Sequence, residues 1–171
     1  MSRTTDASGI AIDLSIACAA WKRALPSAAS IARAAALAAL GQSGKKIGAA
    51  ELSLVLADDA TVRDLNARWR AKDMPTNVLA FASDEPPGKG KPVLLGDVVL
   101  AYQTVAREAK EQEKPLADHL RHLVIHGVLH LLGYDHVKAV PAKRMEALET
   151  RILASLGVAD PYDLREELSR G

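Results

Sequence analysis

Ile10, Ile12, Leu14 and Ile16 alternate with smaller or polar residues, the period-two mark of a half-buried strand. Glu51–Ala57 reads as a second strand, and Asn77–Phe81 and Val93–Ala101 as two more. Between them the period turns helical. Ser27–Leu40 is rich in Ala and poor in β-branched residues, with Ser27 or Ser30 available as a cap and Gly41 just past its end. Asp58 or Asp59 can cap a helix carrying Val62, Leu65 and Trp69 at i, i+3 and i+7. Further helices are predicted over about Tyr102–Lys114, Pro115–Leu132 and Ala142–Leu156, the last with Met145, Leu148, Ile152 and Leu156 on one stripe. Pro115 suits a first helical turn, and Gly133 should end the helix that Pro115 opens.

These elements predict an α+β fold in a single domain, with a small mixed sheet of about four strands packed against about five helices. The Pro-, Gly- and charge-rich stretch 83–92 lies between two strands and is too short to join domains, so it reads as a mobile hairpin loop. Residues 1–8 are expected to form a disordered tail, 9–160 the single domain and 161–171 a mobile C-terminal tail. No internal repeat is visible.

With 171 residues, 49% of them hydrophobic, the chain can bury one good core but is short for two. Aromatics make up only 4%, while Ala and Leu dominate, which favours helices packed through small residues. The net charge of +1 means that any nucleic-acid contact must come from a local basic patch. Cys18 is alone, which excludes an internal disulfide, and Met1–Gly9 lacks the apolar stretch of a secretory signal, so a cytoplasmic setting is expected. The longest apolar run, Ala32–Leu40, is interrupted by Arg33 and falls far short of the roughly 20 residues that cross a bilayer.

All of the histidines fall in one stretch, at positions 119, 122, 126, 130 and 136. His126 and His130 are four apart on a predicted helix, so both rings leave one face and can reach a shared ion at the bond length of about 2.0–2.1 Å typical of zinc and nitrogen. The triplet 122/126/130 is a rival set, but eight residues of helix rise about 12 Å, too far for its first and third rings to meet one ion. Gly133 lets Tyr134, Asp135 and His136 fold back beside His130, which selects His126, His130 and His136 over 119/122/126. Imidazole donors without cysteine pairs or a carboxylate cage favour zinc, one ion at the end of a central helix. Three protein ligands leave a corner open, the catalytic pattern, where bound water can reach a pKa of about 7.

The comparison with zinc proteases fails at one position. Their H-E-x-x-H signature carries a glutamate as general base, and here that position is Gly127. Without the carboxylate, peptide hydrolysis loses its proton shuttle, whereas phosphodiester cleavage can rely on cationic stabilisation of phosphoryl charge. Arg68, Arg70 and Lys72 are candidates for that role, with a solvated helix end as the simpler reading, and the residues alone do not choose among the three. Lys89 and Lys91 in the hairpin loop could follow an RNA backbone.

Leu65–Leu79 (LNARWRAKDMPTNVL), Leu95–Asp97 (LGD) and His126–His136 (HGVLHLLGYDH) together resemble the YbeY-type endoribonuclease family, in the family's order and spacing, over about two-thirds of the chain. The resemblance implies a metal-dependent endoribonuclease that prefers single strands, matures the 3′ end of the small-subunit rRNA and takes part in ribosome quality control. It implies single-stranded RNA or rRNA and the ribosome or its proteins as partners, with no membrane and no DNA. By matched position, His126, His130 and His136 carry the family's zinc ligands and Arg70 its functional arginine. Arg68 and Lys72 would contact substrate, and Asp97 matches an acidic position of open role. Attack on phosphorus would come from activated water or from the ribose hydroxyl, and the sequence does not choose. Two departures stand out: Leu79-Ala-Phe-Ala82 replaces the family's L-S-F-P, and the usually acidic segment after His136 is here Val137–Arg144, which is basic.

Overall fold

The computed structural model describes residues 2–70, 76–86, 88–134 and 139–162. Its elements run Ser2–Thr5 (β1), Ile10–Ile16 (β2), Ala20–Ala24 (α1), Ala28–Gln42 (α2), Ala50–Ala57 (β3), Asp59–Arg70 (α3), Val78–Ala82 (β4), Val93–Ala101 (β5), Tyr102–Glu111 (α4), Leu116–Leu131 (α5) and Ala139–Ser155 (α6). The strands form one mixed sheet in the order β1-β2-β3-β5-β4. β2, β3 and β5 run parallel, while β1 and β4 close the two edges antiparallel.

Period-two alternation explains why both faces of this sheet are covered. On β3, Leu52, Leu54 and Leu56 enter one core while Val55 and Ala57 turn to the other, and on β5, Val98 and Leu100 oppose Val99 and Ala101 in the same way. The larger core takes in α2, α5 and α6, and the smaller one takes in α3 through Val62 and Leu65. Leu52, Leu54, Leu56, Leu100, Leu120 and Leu129 are all essentially sealed from solvent, and each such side chain contributes about 1.5–3 kcal/mol of burial free energy. Ala28, Ala32, Ala35, Ala36 and Ala39 form the buried stripe of α2, and their small side chains let that helix lie close on α5.

The four strands expected from alternation are β2 to β5, and the sheet has a fifth that alternation did not mark. Residues 1–8, expected as a disordered tail, contain β1. Its sequence, Ser-Arg-Thr-Thr, is exposed throughout and buries no apolar side chain, so no hydrophobic signal could reveal it. Main-chain pairing from Ser2↔Leu14 to Thr5↔Ala11 holds it, and Arg3 forks onto Asp13 at 2.8 Å through both Nε and Nη2. Asp6 closes the turn into β2 by accepting hydrogen bonds from Ser8 and from the Ile10 amide.

A sixth helix, the five-residue α1, joins the five predicted ones. It is fixed by Trp21, whose buried indole donates to the Ala57 carbonyl at 2.8 Å and meets Tyr102 edge-on with ring centroids 5.2 Å apart. Gly41, expected just beyond α2, lies inside it, because the helix runs on to Gln42. Asp58 caps α3 by accepting from the Thr61 amide at 2.8 Å. Asp59 instead takes the amide and hydroxyl of Thr104, tying the start of α3 to α4.

Of the tail expected over 161–171, Tyr162 is anchored, its hydroxyl donating to Glu149 on α6. Residues 163–171 lie outside the described part. Among the described residues no helix is long and apolar enough to cross a membrane.

Candidate metal centre

The ring pair rides on α5, the helix that crosses the large-core face of the sheet. α5 starts at Leu116, and Pro115 stands just outside it as the cap residue, φ −59° and ψ 143°, one position before the first helical turn expected of it. It ends as predicted at Gly133, where φ is +94°. The Tyr134 amide donates to the Leu129 carbonyl at 3.1 Å and the left-handed glycine sits one residue before, the arrangement that closes helices with a reversal of direction. The reversal is pinned to the end of α2: the Tyr134 hydroxyl donates to the Ser43 carbonyl, and Lys45 lies 5.0 Å from the centre of the Tyr134 ring. Two residues further on the chain reaches His136, which lies outside the described residues.

His126 and His130 both stand half-buried on α5, one turn apart. His126 Nδ1 is 2.6 Å from Oε1 of Glu149 on α6. A metal taken by this ring is therefore taken through Nε2, and the tautomer is the one that metal-bound histidines with a carboxylate behind them show. Donor type, helical spacing and this carboxylate together fit a zinc ion.

The other histidines have different work. His122 directs Nε2 to Oε2 of the same Glu149 at 2.9 Å. His119 is buried with its Nε2 2.9 Å from Glu108 on α4, a carboxylate that also accepts from the Asn77 side chain at 3.0 Å. Burial pushes the His119 imidazolium down, the Glu108 hydrogen bond pulls partly the other way, and nearby Lys114 adds to the lowering. His119 thus serves as a neutral bolt between α5, α4 and the start of β4.

Glu149 is the residue that sequence reasoning missed. Burial alone would raise its carboxyl, but hydrogen bonds from His122, His126 and Tyr162 outweigh this and hold it down to about 2. Burial and the bond to Glu149 push the Tyr162 phenol well above its usual range. A signal was present: Glu149 follows Leu148 on the apolar stripe of α6, where a charged residue has no place unless something pairs it.

The candidate cations are less gathered. Arg68 is exposed on α3, paired to Asp64 at 3.3 Å over one helical turn, an arrangement contributing about 0.3–0.5 kcal/mol. α3 packs on the sheet face opposite α5. Arg70 is the last residue of α3, its side chain outside the described part, and Lys72 lies outside the described residues. Asp97 is exposed on β5, across from Phe81 of β4.

The packing at Gly127 explains why the position after His126 holds no protease-type glutamate. A Cβ built there would come within 2.8 Å of Val98 Cγ1 and 3.4 Å of Val78 Cγ2, because the helix backbone lies directly on β5 and β4. Gly127→Ala would gain about 1 kcal/mol of helix propensity but incur about 1–3 kcal/mol of overpacking against a β-branched neighbour that cannot swing aside. A net loss of about 1 kcal/mol is expected in urea denaturation; a gain in stability would show that α5 can lift off the sheet.

Fold and rings define a class: a small α+β domain with a histidine cluster on a helix laid across a mixed sheet. The sequence profile described as endoribonuclease YbeY matches residues 16–157. The endoribonuclease YbeY of Paramagnetospirillum magneticum is 56% identical over 157 residues, covering 90% of this chain and 96% of that protein. The endoribonuclease YbeY of a Bradyrhizobium species is 49% identical over 147 residues, covering 84% and 87%. Among solved structures, the solution structure of TM1509 from Thermotoga maritima shares the fold with a TM-score of 0.50 at 20% identity, covering 89% of this chain and 99% of that one. The chain belongs to the YbeY endoribonuclease family.

Proposed function

We propose that this protein is a zinc-dependent endoribonuclease acting on single-stranded RNA, with His126, His130 and His136 holding one zinc ion and Arg70 stabilising phosphoryl charge. The observation that carries the reading is the His126–His130 pair one turn apart on α5, with Glu149 Oε1 2.6 Å from His126 Nδ1 and the left-handed Gly133 two residues beyond the helix. Relatives named as endoribonucleases at 49–56% identity over most of the chain support RNA as the substrate. Zinc bound there supplies a Lewis acid toward a phosphoryl oxygen. The chain's own residues contribute the rest: α5 sets the rings, the Gly127 contact leaves no room for a protease-type carboxylate, and Arg70 offers a bidentate donor to phosphate.

The same family likeness supports a role in maturing the 3′ end of small-subunit rRNA and in ribosome quality control, with ribosomal RNA or proteins as partners, in the cytoplasm. Arg68 and Lys72 would add backbone contacts to the substrate.

The test is metal analysis of the purified chain together with cleavage of single-stranded RNA, duplex RNA and casein. One zinc per chain and cleavage of the single strand are expected, with activity lost on chelation and restored by added zinc. Casein digestion, or RNA cleavage untouched by complete metal removal, would overturn the reading.

A further inference from the structure

We infer that Glu149 is the positioning residue of the zinc site: its Oε1 holds the His126 ring by Nδ1 so that Nε2 meets the metal, and His122 and Tyr162 hold the carboxylate in that pose through Oε2. The inference rests on the zinc site proposed above.

The carboxylate is fully buried on a helix stripe whose other members, Met145, Leu148, Ile152 and Leu153, are apolar. An ionised group in such a place costs several kcal/mol unless every lone pair is used. Here both oxygens are engaged: Oε1 by His126 at 2.6 Å, Oε2 by His122 at 2.9 Å and by the Tyr162 hydroxyl. A carboxylate only accepts, so each of these partners donates, and His126 must carry its proton on Nδ1. The His122 ring is 6.4 Å from that of His126 and 5.5 Å from that of Tyr162, edge to face in both cases. It therefore packs between the metal ring and the segment after α6. This arrangement gives a reason for a histidine four residues before His126 that cannot share an ion with His130. It also makes α6 and Tyr162 part of the site, although they supply no ligand.

The experiment compares the full chain with Glu149→Gln and Tyr162→Phe. Zinc affinity is read by competition with a chromophoric chelator, and the His126 tautomer by long-range proton–nitrogen spectra of the metal-free protein. Glutamine offers one acceptor to three donors, so zinc binding should weaken by about 10–100-fold, and the single Nδ1–H tautomer of His126 should give way to a mixture. Tyr162→Phe removes one donor from Oε2 and should weaken zinc by a smaller factor while the tautomer stays. A melting temperature lowered by Glu149→Gln with zinc affinity and tautomer unchanged would make Glu149 a bolt between helices and overturn the inference. If Glu149→Gln does not fold, unchanged zinc affinity in Tyr162→Phe overturns it instead. A wild-type chain that binds no zinc sinks the proposed metal site itself, an outcome distinct from these.

Discussion

Replacing His130 with alanine is expected to cut cleavage of single-stranded RNA by about a thousandfold or more while leaving the fold intact. A Lewis acid on a phosphoryl oxygen contributes several kcal/mol to the transition state, and each 1.4 kcal/mol lost is about a tenfold drop in rate. His130 is half-buried near the C-terminal end of α5, outside the sealed part of the core, and alanine is the best helix former. The helix should therefore survive the change, with circular dichroism and the melting temperature of the metal-free form close to wild type. The measurements are zinc stoichiometry and initial rate on a labelled RNA. Cleavage that persists in His130→Ala at the wild-type rate would point to a contaminating nuclease and defeat the claim. Arg70→Ala separates two effects: a lower rate with unchanged zinc content is the expected signature of a residue that meets phosphate and not metal.

Trp21→Ala should produce the largest loss of stability, about 3–5 kcal/mol. The ring is fully enclosed, sits in the large core with Leu56 and Ala28, and meets Tyr102 edge-on. Its indole N–H is the donor that ties α1 to the last carbonyl of β3, that of Ala57. Removing the side chain leaves a cavity and strands that buried carbonyl, which adds about 1–3 kcal/mol of desolvation unless water follows. Trp21→Phe keeps most of the volume and loses the donor, so a smaller drop is expected. Urea denaturation followed by circular dichroism measures both. A change below about 1 kcal/mol for the alanine variant would mean that α1 is a detachable flap, not a wall of the core.

The sequence revealed the parts of this fold that bury apolar side chains at a regular period. The Ile10–Ile16 alternation and the Met145, Leu148, Ile152 stripe map directly onto β2 and α6 because burial and periodicity are the same fact seen twice. β1 and α1 escaped because neither is held by a periodic apolar face: main-chain pairing and two arginines, Arg3 on Asp13 and Arg33 on Ser2, hold the first, and a single tryptophan holds the second. The candidate site divides along the same line. His126 and His130 are legible from helix spacing, since both belong to one element. Glu149 comes from another helix, and only the packing of α6 against α5 brings it to His126. Its presence on an apolar stripe was a sign of a buried partner, but the sequence cannot name which of five histidines that partner is. The roles of His119 and His122 were illegible for the same reason, each being set by a carboxylate from a different helix.

The short polar strand at the start of the chain has a bearing on how the molecule behaves among its own copies. Without β1, the outer side of Ile10–Ile16 would offer a row of bare amides and carbonyls on an apolar strand, a template on which a neighbouring chain can add itself. β1 occupies that row with side chains that are all exposed and sets a guanidinium over Asp13 and Glu51. Resistance to chain-to-chain sheet growth is thus assigned to residues that touch neither the large core nor the histidines, and trimming the first residues would put colloidal behaviour at risk before it disturbed either.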